Sequence, residues 1–218
     1  MLTRRQVNVG LMAGALAAMP GFAAAAESGK PMSLPAPKTE GGVSLRAALQ
    51  KRRSIREFAD RPLALPLLSD LLWAANGVNR PESGDRTAPC WRHVDVIDIY
   101  LAMVDGVWLY APKEHELRPH LATDLRAQTG NQDFVGIAPL TLVYVANGDR
   151  MGNIGQDERR LWATADTGFI GQNVYLLAAA EGLATVFRGS VPKPLAGSLG
   201  LQSQQFVTAA QTVGYPRS

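Results

Sequence analysis

The sequence has one cysteine, Cys90, so no disulfide can form within the chain in any compartment. Its three histidines, His93, His115 and His120, show nothing like His-Glu-x-x-His spacing, and no metal site is expected. No glycine-rich loop leads from a strand into a helix with Rossmann or Walker spacing, which argues against a dedicated nucleotide domain. No Cys-His-Asn order supports acyl transfer. Apolar runs fall short of the roughly 20 strongly apolar residues a membrane span needs, so no stable anchor is expected. Strong charge is missing too. Of the 22 basic residues only Arg4 and Arg5 lie in the first 26 positions, leaving 20 basic against 19 acidic side chains and a net charge of +1 for residues 27 to 218. That balance, without a basic face and interleaved aromatics, points away from nucleic acid.

The first 26 residues contain no acid. Thr3-Arg4-Arg5 leads into the apolar stretch from Val9 to Leu16, then Pro20 and the alanines 23 to 26. This is the order of an export signal, to be set apart from the fold. Thr3-Arg4-Arg5-Gln6 is similar to a twin-arginine signal, although Asn8 interrupts the apolar residues that should follow; the general secretory route is the alternative. The expected location is periplasmic. Residues 27 to 42, with Pro31, Pro35, Pro37, Gly41 and Gly42, read as a linker or an arm lying on a neighbour.

The remainder, 43 to 218, is long enough for one domain with a sizeable core. Pro62 and Pro66 frame the start of a helix with a stripe of Leu67, Leu68, Leu71, Leu72 and Ala75 and a stop at Asn76-Gly77. Residues 79 to 86 read as an exposed loop. Residues 94 to 101 and 107 to 110 read as strands around an Asp105-Gly106 hairpin signal, and 140 to 146 as a buried strand. Residues 120 to 128 are expected to be helical. The longest helix is expected over 161 to 181, apolar on nearly every side, and therefore in a core or a subunit interface. Gly182 stops it, and 183 to 187 follow as a core strand. Together these predict an α+β domain, its sheet flanked by helices.

The most suggestive stretch is Lys51-Arg52-Arg53-Ser54-Ile55-Arg56-Glu57-Phe58. It delivers guanidinium forks and a hydroxyl into a turn or extended segment just after a short helix, a geometry suited to phosphate. Most short charge runs are simply solvated faces, and on its own this cluster fits either reading.

The words of the stretch resemble the opening signature of the nitroreductase-like flavoproteins. Further matches follow in family order: residues 86 to 93 (Arg-Thr-Ala-Pro-Cys-Trp-Arg-His), 168 to 176 (Gly-Phe-Ile-Gly-Gln-Asn-Val-Tyr-Leu), 181 to 189, and Val213-Gly214-Tyr215-Pro216. The resemblance covers residues 43 to 216. Residues 106 to 112 followed by His115-Glu116-Leu117 look like the branch that includes the azoline dehydrogenases.

The resemblance implies a nitroreductase-like fold with a mixed, mainly antiparallel sheet, a homodimer, and FMN as cofactor. It implies that Arg52, Arg53 and Ser54 hold the phosphate and ribityl chain, that Arg56 lies near the O2 edge of the ring, that the backbone of Arg188 and Gly189 meets N5 and O4, and that Gln132 or Asn131 contacts the ring. The segment of Pro89, Cys90, Trp91 and His93 would reach a flavin, often across the dimer interface. Here the sequence departs from its relatives: Cys90, His93 and Asp95 stand where serine, asparagine and glutamine are usual. His93 is the one candidate for a proton donor, with a surface histidine as the alternative; Cys90 reads better as a small buried residue than as a nucleophile.

The implied activity is an FMN-dependent oxidoreductase, passing hydride in ping-pong order to or from a small nitro, quinone or other conjugated substrate. An exported flavin- or ligand-binding protein without turnover is the alternative.

Overall fold

The computed structural model describes residues 29 to 217, so the signal-like residues 1 to 26 lie outside the described residues. Ser44 opens the first helix, α1 (Leu45–Lys51), by accepting a hydrogen bond from the Ala47 amide at 3.2 Å. Arg52 then turns to extended backbone and the chain runs out as the basic segment. Helix α2 (Leu65–Asn76) has Pro66 in its first turn, where the missing N–H costs nothing, and stops at Gly77 as expected. Its Leu68, Leu71, Leu72 and Ala75 are buried, each leucine contributing about 2 kcal/mol.

The sheet has seven strands: β1 (Met32–Ser33), β4 (Ile97–Met103), β5 (Gly106–Ala111), β6 (Glu116–Leu121), β7 (Leu140–Asn147), β8 (Ala184–Arg188) and β9 (Gln205–Gly214). Their order is β1-β6-β5-β4-β7-β9-β8, and every pairing among the described residues is antiparallel. Strand β7 shows why an unbroken apolar run belongs in the middle. Leu140, Leu142, Tyr144 and Ala146 join the core beneath the long helices, while Val143 and Val145 join a second core with Tyr100, Val107, Leu195 and Leu199 on the opposite face.

The long helix α3 (Gln156–Glu181) begins five residues earlier than expected and ends at Gly182, which takes the left-handed φ of 69° that favours glycine. At about 1.5 Å per residue its 26 residues span about 39 Å. Ala163, Thr167, Ile170, Val174 and Ala178 are buried, whereas Leu161, Trp162 and Phe169 point outward.

Several expectations need correction. Residues 120 to 128 are not helical: His120 and Leu121 end strand β6, and only a 3₁₀ turn, Arg126–Thr129, follows. Residues 79 to 86 are not a plain loop, because β2 (Val78–Arg80) and β3 (Asp85–Arg86) pair as a small hairpin. The strand expected from 94 begins at Ile97. Part of the expected arm lies on its own sheet: β1 pairs with β6, Leu34 N donates to His115 O at 3.0 Å, and Ser69 Oγ donates to Pro35 O at 2.6 Å.

Candidate functional site

The basic segment lies along the free edge of β8. Ile55 N donates to Thr185 O at 3.0 Å, so residues 52 to 56 run beside the strand and project alternately to either side of it. Ser54 Oγ lies 2.7 Å from the Tyr175 hydroxyl, and the Arg52 guanidinium sits 5.2 Å from the centre of the Tyr175 ring. Arg56 lines a cavity of about 480 Å³ with Asn131, Gln132, Phe134, Ile137 and Arg217. That volume falls within the small-molecule range of roughly 300–1,000 Å³. Among the described residues Arg52, Arg53 and Arg56 form no ion pair with a carboxylate. Guanidinium groups without a carboxylate partner are free to take an external anion.

Arg53 parts company with its neighbours. It lines a different cavity, of about 240 Å³, with Lys51, Ile55 and Thr185, and its Nε donates to the Lys51 carbonyl at 3.2 Å. Tyr175, which Ser54 and Arg52 contact, lines that cavity as well.

Arg188 ends β8 with its side chain turned inward and 6% exposed. It donates to Thr129 O at 2.8 Å, to Thr212 Oγ1 at 3.1 Å and to Gln132 Oε1 at 3.4 Å. No carboxylate answers it, its Nε has no partner, and burial pulls its pKa down to about 10, which leaves it charged at neutral pH. Gly130 makes room for it, since a Cβ there would overlap the guanidinium. The side chain at this position thus acts from beneath the Gly130 to Gln132 loop. The adjoining Gly189 begins the turn that leaves the sheet.

Pro89, Cys90 and Trp91 stand apart from this cluster. With Arg92, Trp162, Asp166 and Phe169 they line a cavity of about 430 Å³ against the N-terminal half of α3. Asp166, buried in that helix, accepts the Trp91 amide on both oxygens at 3.0 and 3.1 Å, and burial raises its pKa. The turn is tight: Arg92 and His93 adopt φ of 49° and 58°, uncommon for side-chain-bearing residues, and His93 is exposed. Asp95 is engaged with Arg86 at 2.8 Å. Burial, with Asp95 and Asp166 adding to it, pushes the Cys90 thiol up to about 11, so it is not a ready nucleophile.

Sequence reasoning missed Tyr175 and Asp166 as site residues. The signal for Asp166 was an acid on a helix otherwise read as apolar. Tyr175 gave none, because its partner Ser54 is 121 residues away.

An α+β scaffold that sets Arg56, without a carboxylate partner, in a small-molecule cavity at a sheet edge offers a place for an external anion, and comparison with known proteins puts the chain among the oxidoreductases. The model of the Nitroreductase family matches residues 49–215, and the chain belongs to that family. It is 34% identical over 158 residues to a nitroreductase-family protein of Methanocaldococcus jannaschii, covering 68% of this chain and 79% of that protein. The crystal structure of a nitroreductase-family protein from Ralstonia eutropha superposes with a TM-score of 0.83 at 42% identity, over 86% of this chain and 90% of the other. The Escherichia coli microcin synthetase complex McbBCD shares the fold at 19% identity and a TM-score of 0.66, over 84% of this chain and 77% of that one.

Proposed function

We propose that the protein is an exported, homodimeric, FMN-dependent oxidoreductase acting on a small nitro, quinone or other conjugated substrate. The observation that carries this is Arg56, without a carboxylate partner, in a cavity it shares with Gln132 and Phe134, at the end of an extended segment whose Arg52 and Arg53 also lack carboxylate partners. These residues fit the cofactor: Arg52 and Ser54 at its phosphate, Arg56 and Gln132 toward the ring, and the backbone of Arg188 and Gly189 at the ring's edge. Bound FMN supplies the hydride chemistry, in ping-pong order between two substrates sharing the pocket.

Within one protomer the Pro89 to His93 turn lies on a cavity that none of Arg52, Ser54 or Arg56 lines. A second copy completes the site, its turn approaching across an interface built on the exposed apolar residues of α1 and α3. The azoline-dehydrogenase branch remains part of the reading, supported by residues 106 to 112 and His115-Glu116-Leu117.

The test is flavin identity and affinity. Purified protein is expected to be yellow and to release FMN rather than FAD on denaturation. Replacing Arg52 and Arg56 together with alanine is expected to weaken FMN binding by several kcal/mol, from two charge-assisted contacts of roughly 1.5–3 each. A colourless protein that does not titrate with FMN overturns the proposal. A second reading, binding without turnover, is favoured by two observations: Asp95 is tied up by Arg86 and His93 is turned to solvent. Steady-state oxidation of the reduced flavin with a panel of nitro and quinone acceptors separates the two.

A further inference from the structure

Tyr175 is half-buried on α3 and joins three separate parts of the chain. Its hydroxyl accepts the Phe187 amide of β8 at 2.9 Å and lies 2.7 Å from Ser54 Oγ, while Arg52 rests over its ring. The backbone amide can only donate, so the phenol accepts there, while between the phenol and Ser54 Oγ either oxygen can be the donor. With a phosphate oxygen at hand to take the Ser54 hydrogen, Ser54 accepts from Tyr175 in turn. The relay then runs from the Phe187 amide through the phenol to the serine, on the same side chain whose ring carries the Arg52 guanidinium. The ring beneath Arg52 limits where that flexible side chain can go, through a cation–π contact on a surface otherwise open to solvent. One side chain thereby sets the orientation of a hydroxyl and the position of a guanidinium, the two donors suited to a phosphate oxygen.

We propose that Tyr175 is the positioning residue of the phosphate subsite, and that it gives the protein its preference for FMN over the same flavin without a phosphate. This rests on the reading of Arg52 and Ser54 as the phosphate end of the site. Tyr175 itself need not touch the cofactor.

The test compares FMN with riboflavin, which shares the ring and ribityl chain and lacks only the phosphate. Both are titrated into flavin-free protein and followed by fluorescence quenching, alongside thermal unfolding. Tyr175→Phe keeps the ring under Arg52 and removes only the hydroxyl. It is expected to raise the Kd for FMN roughly five- to tenfold, as for one lost hydrogen bond, and to leave riboflavin within about twofold. Ser54→Ala, at an exposed position that does not threaten folding, is expected to show the same selective loss. Combining the two should add little, because they break one relay.

An equal loss for both ligands marks Tyr175 as merely structural and overturns the inference, as does unchanged FMN affinity in both variants. Wild-type protein that binds both flavins equally well instead overturns the assignment of Arg52 and Ser54 to phosphate. Wild-type protein that binds neither overturns the flavin reading as a whole.

Discussion

Arg188 donates to the Thr129 carbonyl at 2.8 Å from a position that is almost wholly buried, and no carboxylate shares the space. A guanidinium held this way is a fixed positive charge in a medium that screens it poorly. At about 10 Å and an effective dielectric of about 20 such a charge is worth roughly 1.7 kcal/mol to a neighbouring anion. For a two-electron couple that is about 35 mV. Arg188→Met is therefore expected to make the midpoint potential of the bound flavin more negative by tens of millivolts. Redox titration against dyes of known potential reads this directly, and an unchanged potential would show that the charge is not felt at the ring.

His115 predicts a pH dependence. Its Nε2 lies 2.7 Å from Ser69 Oγ and 3.1 Å from Pro35 O, and Ser69 already donates to that carbonyl, so Nε2 carries the hydrogen. Nδ1 is then bare and accepts from the Tyr110 hydroxyl at 3.0 Å. Burial lowers the pKa of the ring below its ordinary 6.5, against smaller opposing effects of the Pro35 carbonyl and Asp70. Below 6.5 the unfolded chain therefore binds more protons than the folded one, and stability falls as pH falls through this window. Thermal unfolding between about pH 7 and 5 should show a larger drop for wild type than for His115→Gln. Parallel curves would exclude this histidine as the cause.

The exposed residues of α1 and α3 predict the oligomeric state. Leu45 and Leu161 are 64% and 63% exposed and Phe169 48%, with Leu49 and Trp162 also open. Large apolar side chains gathered on neighbouring helices of a lone domain mark an interface. Light scattering at micromolar concentration is expected to show a dimer, and Leu161→Asp with Phe169→Asp to yield monomer with weaker flavin binding. A stable wild-type monomer that still holds flavin counts decisively against the arrangement.

The electron donor follows from the proposed location. An exported enzyme meets little free nicotinamide cofactor, so a quinol, a membrane redox partner or a substrate oxidised outside the cytoplasm is expected to reduce the flavin. Stopped-flow mixing with NADH, NADPH and a soluble quinol compares them. Fast, saturable reduction by a nicotinamide at micromolar concentration would refute the proposal and weaken the export assignment with it.

The sequence by itself determined the features that depend on local chemistry. Pro66 and Asn76-Gly77 bracket α2, Gly182 closes α3, and the run from Leu140 to Ala146 is legible as a buried strand because both its faces meet apolar neighbours. The basic segment after α1 was visible for the same reason, since adjacent residues carry its donors. Tertiary structure decided the rest. Strand β9 went unread because Gln211 and Thr212 interrupt its apolar pattern; they are buried only because Tyr144, Thr141, Thr185 and Arg188 satisfy them from other strands. Strand β6 was obscured by Pro119, tolerated because the two-residue β1 pairs only with Glu116 and Leu117. Which way each arginine of the segment faces, and that Ser54 meets Tyr175 while Trp91 meets Asp166, depend on contacts between residues 121 and 75 positions apart. No local pattern encodes such pairings, because each side chain takes its role from partners that only folding brings within reach.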